Sequence, residues 1–266
     1  MRLFRMPIAS ILALPAGTLL ATATAFAQVL PASPATAPQA AVVLPTPVDR
    51  ALVPFNARYT VFRDGKQLGD ATLHLVALAD SRWRVDLRIE ATRGLLGIAG
   101  LDLEQSTVFD LAGDGYRPLA QSSLRKLLFG KRKVTGVYDW PAGAARWTGD
   151  LKKTRRAPVP LRDGDMSGLL INLAVLRDAV PGSVLHYRFV DEGRARDQQY
   201  RVAAAREPQT VDDLSYDALR VDRLRASGEE ATTFWVVESV PTPIRILQRD
   251  DDGELLELRL IDYQEV

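Results

Sequence analysis

The strongest constraint in this sequence is an alternation. Trp83, Val85, Leu87 and Ile89 occupy every second position, and Arg82, Arg84, Asp86, Arg88 and Glu90 fill the places between. Successive side chains of a strand point to opposite faces, so the pattern specifies a half-buried strand of an antiparallel sheet. It recurs at Phe55 to Phe62, Thr72 to Leu78, Val134 to Trp140, Val184 to Val190, Tyr200 to Ala204, Ala218 to Leu224, Thr233 to Val237, Ile244 to Leu247 and Leu255 to Ile261. Turn-forming residues separate these runs: Asp64-Gly65, Asp80-Ser81, Gly113-Asp114-Gly115, Pro141-Ala142-Gly143, Asp191-Glu192-Gly193, Ser227-Gly228 and Asp252-Gly253. They tolerate positive φ or cap tight turns. Roughly a dozen strands, nearly all hairpin-linked, predict a mainly β protein: a strongly curved antiparallel sheet, an open barrel or a sandwich. Helices do not alternate with the strands, which excludes a parallel α/β architecture.

One helix interrupts the pattern, predicted from about Met166 to Asp178, with Asp165 placed to cap its free amides and Pro181-Gly182 to stop it. Leu169, Leu170, Ile171, Leu173, Val175 and Leu176 leave it almost no polar face. Their burial is worth about 9–18 kcal/mol gross as an upper bound. A helix this apolar needs a concave surface around it.

The first residues have the layout of a cleaved secretory signal peptide. Arg2 and Arg5 give a basic start, Pro7 to Leu20 an apolar stretch, and Ala25-Phe26-Ala27 a cleavage site before Gln28. Pro15 and Gly17 interrupt the apolar run, which argues against a membrane anchor. The expected location is therefore the periplasm. Residues 28–53 hold Pro31, Pro34, Pro38, Pro45 and Pro47 among alanines, the composition of a disordered linker, and residues 54–266 form the expected single β-rich domain. About 215 residues suffice for a sizeable core.

Composition narrows the chemistry. Removing Arg2 and Arg5 from the 34 Lys and Arg leaves 32 against 33 Asp and Glu, so the processed chain carries a formal charge of −1 and no nucleic-acid partner is expected. Cysteine is absent, which excludes disulfides, thiolate metal sites, cysteine nucleophiles and a lipidated N-terminal cysteine. His74 and His186 lie in separate strands, too far apart in sequence for a metal-binding spacing; a strand histidine reads as structural, and a catalytic triad would need one of the two. Nucleophile elbows, phosphate loops and dinucleotide fingerprints are missing. The run Asp250-Asp251-Asp252-Gly253-Glu254 lacks the ligand spacing of a calcium loop and reads as a hairpin turn. No spacing singles out a carboxylate pair for glycoside hydrolysis. The chain is expected to be no enzyme, with no catalytic residue, metal or cofactor.

Two features remain for binding. Gly94 to Leu101 and Leu127 to Gly130 place leucines in consecutive positions beside glycines, where alternation breaks. They fill the sheet interior or line an apolar pocket; in the second case the candidate lining is Leu95, Leu96, Ile98, Leu127, Leu128 and Phe129, with Leu170 and Leu173 of the helix. The run Lys152-Lys153-Thr154-Arg155-Arg156 gathers positive charge. It is a solvated loop or, through Lys152, Lys153, Arg155 and Arg156, a contact for an envelope protein or polyanion.

The spaced residues Tyr59-Thr60-Val61-Phe62 with Gly65 and Gly69, Tyr138-Asp139-Trp140, Asp165-Met166-Ser167, Phe234-Trp235, and Pro241-Thr242-Pro243 running into Ile244-Arg245-Ile246 and on to Asp252-Gly253 form a further pattern. Over about Phe55 to Tyr263 this resembles the domain of unknown function 3108 family of exported Gram-negative proteins. The resemblance implies a periplasmic β-rich domain and supplies no catalytic or binding residue. A curved sheet around an apolar helix is also similar in shape to periplasmic lipid carriers, a weak warrant for function. The expected role is a non-enzymatic periplasmic binding or carrier protein for a hydrophobic or lipid-like ligand, not integral to the membrane; the alternative is an envelope scaffold without such a ligand.

Overall fold

The computed structural model describes residues 52–94, 102–127, 130–211, 213–224, 231–250 and 253–266. The signal-peptide reading (1–27) lies outside them, as does the linker reading (28–53) apart from Leu52 and Val53.

Among the described residues the chain forms a large, mostly antiparallel 16-stranded sheet that curls around one α-helix. The strands are β1 (Phe55–Arg63), β2 (Lys66–Ala77), β3 (Trp83–Ala91), β4 (Asp102–Ala112), β5 (Gly115–Leu127), β6 (Gly130–Asp139), β7 (Ala144–Gly149), β8 (Val159–Pro160), β9 (Asp165–Met166), β10 (Val184–Asp191), β11 (Arg194–Val202), β12 (Glu207–Val211), β13 (Leu214–Leu224), β14 (Ala231–Val236), β15 (Arg245–Arg249) and β16 (Leu255–Glu265). Helix α1 spans Gly168–Asp178. In space the sheet runs β8-β7-β6-β5-β4-β3-β2-β1-β16-β15-β14-β13-β11-β10-β9, with β12 hung on β13. Pairing β1 with β16 joins the first and last described strands and makes the meander nearly circular.

The predicted strands are present, and the structure adds β4, β5, β7, β12 and the two-residue β8 and β9. Strand β4 was missed because its inward positions include Gln105 and Thr107, and β5 because its inward face carries Gln121, Ser123 and Arg125. The predicted turns form where they are described. Asp64 and Gly65 both adopt positive φ and link β1 to β2; Glu192 and Gly193 do the same between β10 and β11. The second pair has no substitute for glycine: a Cβ on Gly193 would lie 2.0 Å from the Arg155 carbonyl oxygen.

Helix α1 is buried at Leu169, Leu170, Ile171, Leu173, Ala174, Val175 and Leu176, and runs along the inside of the barrel against β3, β4, β5 and β10. The expected cap is corrected. Ser167 occupies the N-cap position without a side-chain capping bond, and its hydroxyl lies 2.9 Å from that of Thr107. Asp165, fully buried, takes hydrogen bonds from the Arg162 amide and, at 2.6 and 2.7 Å, from the Arg188 guanidinium. A buried carboxylate is held by an ion pair sooner than left to a weak helix cap.

The main core surrounds the helix with Phe55, Tyr59, Val61, Leu73, Leu75, Val85 and Phe109. Tyr59, fully buried, places its hydroxyl 2.6 Å from Thr242 Oγ1 and donates to the Pro243 carbonyl at 2.9 Å, tying β1 to the Pro241–Pro243 turn. A smaller second core holds Val134, Tyr138, Ala145, Trp147, Leu151, Val159 and Val190, with Ala195 against it. Val190 and Ala195 alternate with Phe189, Asp191 and Arg196, which face the barrel interior. Val134 and Tyr138, in contrast, share the inner face of their own strand with Gly136, the cross-strand partner of Gln121. The β6–β8 end of the sheet therefore wraps over the outside of β10–β11, and the barrel is rolled, not closed by backbone pairing.

Side chains fasten this overlap. Glu192 is 2% exposed and accepts from Arg132 at 2.8 Å and Arg155 at 3.2 Å. The Tyr138 hydroxyl lies 2.7 Å from the Val190 carbonyl and 2.5 Å from Gln121 Oε1. No described helix is long and apolar enough to cross a membrane.

Candidate functional site

Because the strands run up and down, the strand ends that flank the β1–β2, β3–β4, β5–β6, β10–β11, β13–β14 and β15–β16 connections lie at one end of the barrel. The helix starts toward that end and finishes toward the other. Between its first turn and the strands lies a cavity of about 250 Å³.

The cavity has two dissimilar walls. One arc is mostly apolar: Leu87 and Ile89 on β3, Phe234 on β14, Ile246 on β15, and Leu256 and Leu258 on β16, with Leu169 and Ile171 from the helix, and Thr232 and Gln248 beside them on β14 and β15. The facing arc is polar: Gln105 and Thr107 on β4, Gln121, Ser123 and Arg125 on β5, then across the overlap Asp191, Arg196 and Gln198, and Arg223 on β13. The register explains the grouping, since Leu103 pairs with Arg125, Gln105 with Ser123, Thr107 with Gln121 and Tyr200 with Arg223, and paired side chains share a face.

Gln121 is the hinge of the polar arc. Its amide donates to Asp191 while its carbonyl oxygen faces Tyr138. Burial pushes the Asp191 carboxyl up to about 6, and neighbouring Glu192 adds to the rise against the Gln121 bond and the Arg196 charge. Arg125 moves the other way: burial lowers it, and Arg132 beside it adds like-charge repulsion that Glu192 partly offsets. The Tyr200 hydroxyl donates to Gln198 at 2.6 Å and is pushed up to about 12 by burial. Arg223 Nε is buried with no hydrogen-bond partner among the described residues. Arginine does not escape burial by deprotonating, so this wall keeps its positive charge.

A second pocket of about 180 Å³ lies at the opposite end, lined by Phe55, Leu75, Tyr116, Leu173, Leu176 and Val240 among others. The sequence-predicted lining is divided between places. Leu173 faces this smaller pocket, and Leu170 is fully buried in the main core. Leu95, Leu96, Ile98, Leu128 and Phe129 lie outside the described residues, and Leu127 ends β5 with only its backbone described. The connections that carry them leave β3 and β5 at the cavity end.

Arg155 is corrected as a surface contact. It is 7% exposed and engaged with Glu192, whereas Lys152, Lys153 and Arg156 are exposed. The strand positions that build the polar arc were not read from the sequence as a site. The available signal was the intrusion of Gln, Ser, Thr and Arg at alternate positions of otherwise strand-like segments. His74 and His186 lie apart on β2 and β10, and no cluster of metal-ligating side chains occurs among the described residues. Around Asp250 the chain turns back, the Gly253 amide donating to the Asp250 carbonyl at 3.1 Å and the Glu254 amide to its carboxylate at 2.9 Å.

The family model described as "Protein of unknown function (DUF3108)" matches residues 55–260. No curated protein matches significantly. Among solved structures, a β-barrel-like protein of domain of unknown function DUF1849 from Brucella abortus is similar at 10% identity and a TM-score of 0.48, covering 81% of this chain and 98% of that one. That likeness is too distant to bear on function.

Proposed function

Since the chain belongs to the family described as "Protein of unknown function (DUF3108)", whose name assigns no activity, we propose from the site itself that it is a non-enzymatic periplasmic binding or carrier protein whose barrel takes up a lipid-like, amphiphilic molecule. The observation that carries the reading is the two-walled cavity: leucines, isoleucines and a phenylalanine on one arc, amides, hydroxyls and arginines on the other. Each ligand methylene buried against the apolar arc contributes about 0.8 kcal/mol. The polar arc offers hydrogen bonds that a pure hydrocarbon leaves unmade, at roughly 1–3 kcal/mol for each buried group left unsatisfied. The size points to a modest ligand or the end of a longer one, because 250 Å³ falls below the roughly 300–1,000 Å³ of ordinary small-molecule sites. The scaffold reading is weakened by the burial of Arg155, which removes one of the cations it relied on.

The test is native purification of the processed protein from the periplasm, followed by mass spectrometry of what accompanies it. A stoichiometric amphiphile is the expected result. A ligand-free protein that also leaves a neutral hydrophobic dye in solution counts decisively against the proposal.

A further inference from the structure

The charges on the cavity wall do not balance. Arg125, Arg196 and Arg223 all line it, and Asp191 is the carboxylate among them. Asp191 already has company: Gln121 donates to it and the Arg196 charge acts on it. Glu192, the carboxylate that acts on Arg125, lies in the overlap and is gripped by Arg132 and Arg155. Among the described residues neither Arg125 nor Arg223 has an ion-pair partner, and both are half-buried. A guanidinium withdrawn from water without an anion costs free energy that an arriving anion returns. Its planar fork matches the oxygens of a carboxylate or a phosphate. The first turn of α1 borders the same space through Gly168 and Leu169, without a side-chain cap, and adds the positive end of the helix dipole.

We infer that the ligand is an anionic amphiphile, its carboxylate or phosphate head held by Arg125 and Arg223 and its chain laid on the apolar arc formed by Ile89, Phe234, Ile246 and Leu258. This deepens the binding reading above and rests on it. The apolar arc alone does not select a head group. The unmatched arginines across from it do, since they disfavour a cationic head by repulsion and a neutral one by leaving two half-buried charges without an anion.

The experiment is calorimetric titration of the full chain with decanoate, decyl phosphate and decanol at about pH 7.5, beside a neutral dye, N-phenyl-1-naphthylamine. At least one anion is expected to bind about tenfold or more tightly than decanol; the tighter of the two identifies the head as carboxylate or phosphate. The double substitution Arg125→Gln with Arg223→Gln is expected to lower anion affinity about tenfold and to leave decanol binding no weaker than before. Equal binding of decanol and both anions overturns the head-group inference while the binding reading survives. So does a double variant, shown folded by circular dichroism, that retains full anion affinity. Failure of all three ligands and of the dye removes both. The comparison of head groups on the unaltered protein needs no variant, so it stands even if the double substitution does not fold.

Discussion

Around Leu73, Leu170 and Val175 the inward positions of the barrel are apolar and the helix fills the space, whereas around Arg125, Gln121 and Arg223 inward positions are polar and space remains. The same sheet and the same helix build both regions. The difference lies in which strands carry an ordinary inner face. Strands β1, β2 and β16 present Val, Leu, Ala and Tyr to the barrel interior, while β4, β5 and β11 present Gln, Thr, Ser and Arg across the gap. One region is arranged for stability. The other departs from that arrangement, as binding sites commonly do at some cost in stability.

The largest expected effect lies in the filled region. Leu170→Ala, at a position with no exposure, should cost about 2–5 kcal/mol in urea unfolding, because neighbours wedged between helix and sheet relax only partly into the void. A loss below about 1 kcal/mol would mean that the helix is not the keystone of the interior. Next comes Glu192→Gln at the overlap, which strands Arg155 and Arg132 opposite a neutral group and should cost about 3 kcal/mol. A midpoint unchanged by this substitution would show that the overlap is held by its apolar contacts alone.

In the cavity the sign reverses. The Asp191 carboxyl sits at about 6 against 3.8 when free, so the fold opposes its ionisation. The penalty is absent below about pH 4, grows toward pH 6 and is complete above it. Asp191→Asn should therefore stabilise the protein by about 1–3 kcal/mol near pH 7.5 and by nothing near pH 3.5. A gain that persists in acid would assign the effect to something other than the charge. The smallest expected effect is Gln248→Leu on the cavity rim, within about 1 kcal/mol and toward greater stability. A loss of several kcal/mol there would erase the contrast between the two regions.

The same contrast governs how much could be read from the sequence. Strand β3 was legible because Val85, Leu87 and Ile89 face an apolar interior and Arg84, Asp86 and Arg88 face outward. The helix was legible because Leu169, Leu170, Ile171, Leu173, Ala174, Val175 and Leu176 are all buried, which leaves an almost continuous apolar run. Strands β4 and β5 were not, since a strand between solvent and a polar cavity wall is hydrophilic on both faces and loses its period of two. The candidate site was hidden for that reason. Consecutive leucines near Leu95 and Leu127 drew attention to the loops, while the polar arc lay in Gln105, Gln121, Arg125 and Arg223, each ordinary alone and meaningful only once pairing brings them to one face. Arg155 misled for a similar reason, because a basic run in sequence does not say which member turns inward to Glu192.

The wrapped overlap has a consequence for girth. In a barrel closed by backbone ladders, strand number and shear fix the circumference, and widening it means breaking hydrogen bonds along a whole strand. In this protein the last joint is a lap seam riveted by Tyr138, Arg132, Arg155 and Glu192. The hoop is thus adjustable at one place, where a change in a few side chains resets its diameter without disturbing the register of any paired strand.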